Sequence, residues 1–80
     1  MSLINIRYYA ALREQAGCSG EEVETAAQTA TELYEELRRK YGFTLAADQI
    51  KVAVNEEYRP LDHALSAGDE VVFIPPVSGG

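Results

Sequence analysis

One stretch constrains this chain more than any other: an amphipathic helix with both ends marked, opening at Thr29 and closing at Gly42. Ala30, Leu33, Leu37 and Tyr41, with Tyr34, recur at helical spacing and form one apolar stripe. Thr29 stands three residues before Glu32, the spacing of a capping box. Arg38, Arg39 and Lys40 lie at the negative end of the helix dipole, and Gly42 suits a left-handed closing residue. Glu35 with Arg39 and Glu36 with Lys40 are i,i+4 pairs in the favourable order. A single helix with one apolar stripe cannot make a core alone. It must be buried against another layer.

The rest of the chain supplies strands. Ile4, Ile6 and Tyr8 alternate with Asn5 and Arg7 over residues 3–9, the period of a half-buried strand. Residues 10–16 read as a short helix stopped by Gly17, and 21–25 as a weak strand whose one strong apolar position is Val23. Val52 and Val54 point inward from a strand over 51–55. Asn55-Glu56-Glu57 turns it back through Tyr58, and 61–65 is read as a single helical turn. Residues 70–74 are the most apolar strand, and Pro75-Pro76 ends it because proline offers no ladder donor. The expected fold is α+β: a ubiquitin-like β-grasp, a mixed sheet of about five strands with one main helix and a short helix. First and last strands are neighbours, which sets Ile4, Ile6 and Tyr8 beside Val71 and Phe73 on the helix-facing side. Residues 1–80 form one domain, with 75–80 as an extended C-terminal tail.

Composition closes off several functions. With 7 Lys+Arg against 13 Asp+Glu the 80-residue chain carries a net charge of -6, which is no footprint for nucleic acid. No apolar run is long enough to span a membrane, and the N-terminus lacks the pattern of a signal peptide. One cysteine, Cys18, allows no internal disulfide, which suits a reducing cytoplasm. With one His besides, no four-ligand zinc site of the usual kind is expected and no metal is assigned. Asp62-His63 lacks a third partner and is read as a turn, with Asp62 capping a helical stub and His63 facing solvent. Cys18 lies in a glycine-flanked loop with nothing to activate it. The glutamates at 21, 22, 24, 32, 35, 36, 56 and 57 form a solvated face that can also steer a basic partner.

Two features carry chemistry. In Pro75-Pro76-Val77-Ser78-Gly79-Gly80 the prolines stiffen the exit from the sheet, and the last residues are thin enough to thread a narrow channel. Residues 77–80 reach at most about 14 Å when extended. A free carboxylate at Gly80 is a poor electrophile and needs activation, for instance as a mixed anhydride with a nucleotide phosphate. The chain has no phosphate-cradling loop, so ATP belongs to a partner and no cofactor is bound here. The bland alternative is a frayed end with two chance glycines. The second feature follows from alternation: Tyr9, Val72 and Ile74 face away from the helix with Tyr58 beside them, an apolar patch fit for a partner unless a loop covers it or the register slips by one.

The residues Val54-Asn55, Leu61-Asp62-His63, Leu65, Gly68-Asp69-Glu70-Val71, Phe73 and the Pro75–Gly80 ending resemble the molybdopterin synthase small subunit family of ubiquitin-like sulfur carriers. Tyr8-Tyr9-Ala10, Leu12-Arg13-Glu14 and Gly17 are similar to it as well. The resemblance spans the whole chain. It implies that Gly80 is adenylated by an ATP-dependent activating enzyme and converted to a thiocarboxylate. Its sulfur then passes to a cyclic pyranopterin monophosphate inside the large synthase subunit, in molybdenum cofactor biosynthesis. The chain would be the non-catalytic sulfur donor of a heterotetramer with two large subunits at its centre. Gly79 gives the tail access, and Tyr9, Tyr58, Ile74, Pro75, Pro76, Val77 and Ser78 map to partner-binding positions. Ser78 replaces a common threonine, and tyrosine at 9 and 58 departs from the family's more apolar residues. A thiamine-type sulfur carrier and a ubiquitin-like protein modifier are the alternatives.

Overall fold

Strand-period segments at both ends of the chain meet in the middle of one sheet. The computed structural model describes residues 1–76. Its elements run β1 (Ser2–Tyr8), α1 (Ala10–Ala16), β2 (Gly20–Thr25), α2 (Ala30–Tyr41), a 3-10 turn (Ala47–Gln49), β3 (Lys51–Val54), β4 (Glu57–Arg59) and β5 (Glu70–Ile74). The sheet order is β2-β1-β5-β3-β4. β1 and β5 are parallel, with Ile6 opposite Val71 and Tyr8 opposite Phe73, and the other pairings are antiparallel. This is the β-grasp, with α2 packed across one face.

The core follows the two periodicities. Ile4, Ile6, Tyr8, Val52, Val54, Val71 and Phe73 come from alternate strand positions, and Ala30, Leu33, Tyr34 and Leu37 from the helix stripe. Each large aliphatic side chain so buried contributes about 1.5–3 kcal/mol relative to exposure. Tyr34 stacks on Phe43 at 5.7 Å and meets Phe73 edge-on at 5.3 Å. Its hydroxyl donates to the Leu45 carbonyl at 2.8 Å, so the buried ring leaves no polar atom unpaired.

Both ends of α2 close as their residues dictate. Thr29 Oγ1 accepts from the Glu32 amide at 3.2 Å. Gly42 sits at φ 73 and donates to the Arg38 carbonyl at 2.8 Å. The Glu32 carboxylate reaches back one residue further than a capping box requires, accepting from the Gln28 amide at 2.9 Å. The two i,i+4 pairs do not form. Glu35 pairs with Arg38 at 3.7 Å, Lys40 reaches Glu21 on β2 at 3.8 Å, and Glu36 accepts from the Thr25 hydroxyl at 2.7 Å. A surface pair along a helix yields a few tenths of a kcal/mol, and half-buried groups across the helix–strand seam offer stronger, charge-assisted partners.

Residues 61–65 are not a helical turn. The His63 amide bonds the Pro60 carbonyl in a tight turn, and Ala64 then makes an isolated antiparallel bridge with Thr29. The carbonyls of Leu61 and His63 accept from the Thr31 and Ala30 amides, so this segment satisfies the first turn of α2 instead of forming its own. Asp62 therefore caps no helix, and His63 is half-buried rather than fully exposed.

Candidate functional site

Alternation sends Arg7, Tyr9, Ala53, Tyr58, Glu70, Val72 and Ile74 to the face opposite α2. Register then sets Arg7 beside Val72, Val72 beside Ala53, and Ala53 beside Tyr58 in one row across four strands. These residues, with Glu56 from the β3–β4 turn, line a shallow depression of about 510 Å³. Tyr58 is 73% exposed and Tyr9 48% exposed, and Ile74 is half-buried between their strands. Val72, at 8%, is nearly covered, so the patch is not the open apolar surface that alternation implies. Its most exposed side chains of apolar character are the two tyrosines.

The rim is charged. Arg7 Nε lies 3.3 Å from the Glu70 carboxylate, an exposed pair of small energetic weight. Glu56 makes no ion pair among the described residues. Ala10, Asn55 and Glu56 hold positive φ angles of 50, 52 and 70, the only non-glycine residues to do so among those described. One follows Tyr9 directly and the other two form the turn leading into Tyr58, so the strained backbone flanks the patch. A larger depression, about 680 Å³, wraps the β4 edge between Asp48, Lys51, Val52 and Arg59.

The predicted site residues separate into two groups. Tyr9, Tyr58 and Ile74 come together at one depression. Pro75 is buried and Pro76 exposed, so the first proline is seated on the body of the fold rather than projecting from it. Val77, Ser78, Gly79 and Gly80 lie outside the described residues. Glu56, Glu70 and Arg7 were not singled out as site residues, although the alternation that placed Tyr9 and Val72 puts Arg7 and Glu70 on the same face. Cys18 is half-buried against the edge of the core and does not line the patch depression. Among the described residues no group of three or more His, Cys, Asp or Glu side chains is arranged to hold a metal ion, and no helix is long and apolar enough to cross a membrane.

One polar cluster was missed. Glu21 belongs to the glutamates expected to face solvent, yet it accepts from the Tyr8 hydroxyl at 2.6 Å and from the Tyr41 hydroxyl, with Lys40 nearby. Burial pushes its carboxyl up, and the two hydroxyls together with Lys40 outweigh this and hold it below the ordinary glutamate range. Burial, and then the hydrogen bond to Glu21, push the Tyr8 phenol far up. This cluster lies on the α2 side of the sheet and ties β2 to the end of the helix.

A five-stranded β-grasp whose central strand ends at Ile74, beside a tyrosine-flanked depression, defines a ubiquitin-like protein, and the sequence continues Pro-Pro-Val-Ser-Gly-Gly. Residues 6–80 match the model of the ThiS family, and the chain belongs to that family. It is 33% identical to the molybdopterin synthase sulfur carrier subunit of Haemophilus influenzae, over 98% of this chain and 100% of that one. It is 36% identical to the subunit of the same name from Mycobacterium tuberculosis, over the full length of both. Among solved structures, a putative molybdopterin converting factor subunit 1 from Pyrococcus furiosus superposes with a TM-score of 0.80 at 29% identity, covering 96% of this chain and all of that one. The modifier protein SAMP1 from Haloferax volcanii superposes at 0.79 and 29%, covering 99% of this chain and 100% of that one. A complex of subunits 1 and 2 of the Helicobacter pylori molybdopterin-converting factor shares the fold at a TM-score of 0.66 and 24% identity, covering 98% and 99%.

Proposed function

We propose that this chain is the sulfur-carrying subunit of a molybdopterin synthase. The observation that carries the proposal is the match of residues 6–80, Gly79 and Gly80 included, to a family whose similar full-length relatives are sulfur carrier subunits. The fold supports it: β5 is the middle strand of the sheet, and it ends at Ile74 inside the depression, so the segment that follows leaves from beside the tyrosines.

In this reading the Gly80 carboxylate attacks the α-phosphorus of ATP in an activating partner, forming an acyl-adenylate and releasing pyrophosphate. Sulfide supplied by a sulfur donor attacks the acyl carbon, displaces AMP and leaves a thiocarboxylate. The sulfur then forms a bond to a carbon of the cyclic pyranopterin monophosphate in the large subunit, displacing an oxygen substituent from that carbon, and water cleaves the acyl–sulfur bond to restore the carboxylate. Glycine at 79 and 80 presents no side chain to a narrow channel, and the tyrosine-flanked face is the docking surface. The assembly is a heterotetramer built on two large subunits, in a reducing cytoplasm.

Intact mass spectrometry tests this directly. Incubation with the activating enzyme, ATP and a sulfur donor should give a mass gain equal to one oxygen replaced by sulfur, absent when Gly80 is deleted. An unchanged mass would refute the proposal. The likeness to a modifier protein favours a second reading, in which Gly80 is joined to lysines of other proteins. Branched peptides bearing a Gly-Gly remnant after proteolysis, in place of the thiocarboxylate, would establish that instead.

A further inference from the structure

The sheet ends in two outer strands, and their charges would meet a second copy of the chain in opposite ways. β2 closes one edge with Glu21, Glu22 and Glu24 around Val23. Antiparallel pairing of β2 with another β2, centred on Val23, would set Glu22 against Glu24 twice. Like charges directly opposite repel, so this edge is guarded. β4 closes the other edge with Glu57-Tyr58-Arg59, all three exposed. The same pairing centred on Tyr58 sets Glu57 against Arg59 twice and Tyr58 against Tyr58. The sequence of β4 is therefore complementary to itself.

The backbone of β4 is aimed to match. One residue past β3, the Asn55 amide donates to the Glu70 carbonyl at 2.8 Å. Ladder bonds alternate in an antiparallel pair, so Ala53 also turns its amide and carbonyl toward β5. On the β4 side the Ala53–Tyr58 pair is then one without ladder bonds. Tyr58 turns its own amide and carbonyl out of the sheet, and among the described residues neither bonds to another segment. The depression of about 680 Å³ along this edge leaves the approach open. Pro60 offers no amide and its carbonyl accepts from the His63 amide, so the ladder ends there.

We propose that β4 is an interface between two copies of this chain, joined antiparallel about a twofold axis at Tyr58. Each Tyr58 amide donates to the other's carbonyl, and the two rings pair on the face opposite α2. Glu57 and Arg59 of each copy meet Arg59 and Glu57 of the other on the α2 side. Within one chain Arg59 already lies 3.2 Å from Glu57, so the dimer closes two exposed pairs into one alternating network. Tyr58 also lines the patch depression, so the dimer covers a ring of the docking face. A three-residue strand is a small interface and each copy carries a net charge of -6, so the dimer is weak.

Sedimentation equilibrium of the full chain from about 10 µM to about 1 mM tests it, with E57R, R59E and their equimolar mixture. E57R leaves only cations flanking Tyr58 and R59E only carboxylates. Each is expected to stay at monomer mass where the wild type rises above it. Mixed, the two variants complement each other at both positions, and association should return. In the wild type alone, the Tyr58 amide resonance should shift with concentration while that of Val23 holds still. This reading needs no variant, so it decides the matter should a substitution unfold the chain. A wild type that stays monomeric throughout would overturn the inference. So would association persisting in either variant, a mixture that fails to restore it, or a Val23 resonance that moves while that of Tyr58 does not.

Discussion

Replacing Glu21 by glutamine should destabilise the fold by an amount that depends on pH. In the native protein one carboxylate accepts from two tyrosine hydroxyls, Tyr8 and Tyr41. Both hydroxyls donate to the same oxygen, Oε2, while Oε1 faces Lys40; glutamine can set its amide oxygen where Oε2 lies and keep both hydrogen bonds, but neither stays charge-assisted. A hydrogen bond to a charged group contributes roughly 1.5–3 kcal/mol and a neutral one roughly 0.5–1.5 kcal/mol, so two weakened bonds differ by about 1–3 kcal/mol in all. Lys40 adds little, because its side chain is 55% exposed and well screened. The expected loss near neutral pH is therefore about 2 kcal/mol, and at roughly 4–8 °C per kcal/mol the thermal midpoint should fall by about 8–16 °C. The carboxyl titrates below its ordinary value of 4.5 in the folded state, so the unfolded chain binds the proton more readily. The stabilisation is complete above that value and disappears as pH falls through the lowered folded value. Urea unfolding followed by circular dichroism, in steps from neutral pH to about pH 3, should show wild type and E21Q converging in acid. A gap under about 0.5 kcal/mol at neutral pH, or a gap that stays constant down to acid, would refute this account of the cluster.

Two further outcomes are expected. Gly42→Ala should cost roughly 1–2 kcal/mol in chemical denaturation, since Gly42 holds φ 73 with open space around a would-be Cβ, leaving backbone strain as the only cost. Cys18→Ala and His63→Ala should leave the rate of sulfur transfer per folded molecule unchanged in a reconstituted assay. A loss in either would place a catalytic group on this chain.

The parts of the protein that could be read residue by residue are those decided over a few neighbouring positions. The α2 stripe, the Thr29 cap, the left-handed Gly42 and the halt at Pro75 all follow from local geometry. So does the division of Ile4, Ile6 and Tyr8 from Arg7 and Tyr9, because side chains on a strand must alternate. Even the meeting of Tyr9 with Ile74 was within reach once the two strands were taken as neighbours. The pairings of Glu21, Glu36 and Lys40 were not. Along the chain these look like a solvated charge run and a set of helix-surface pairs, but each found a partner on a different element.

The same holds for residues 61–65, which look helical by spacing and instead bridge to Thr29, where the first amides of α2 need acceptors. Val72 alternates outward like Ile74 and is nevertheless almost covered. Periodicity and backbone stereochemistry act between near neighbours, so they are written in the order of residues. Which hydroxyl meets which carboxylate, and which apolar side chain is roofed over, depends on surfaces that become adjacent only when β2, α2 and the sheet have closed on one another.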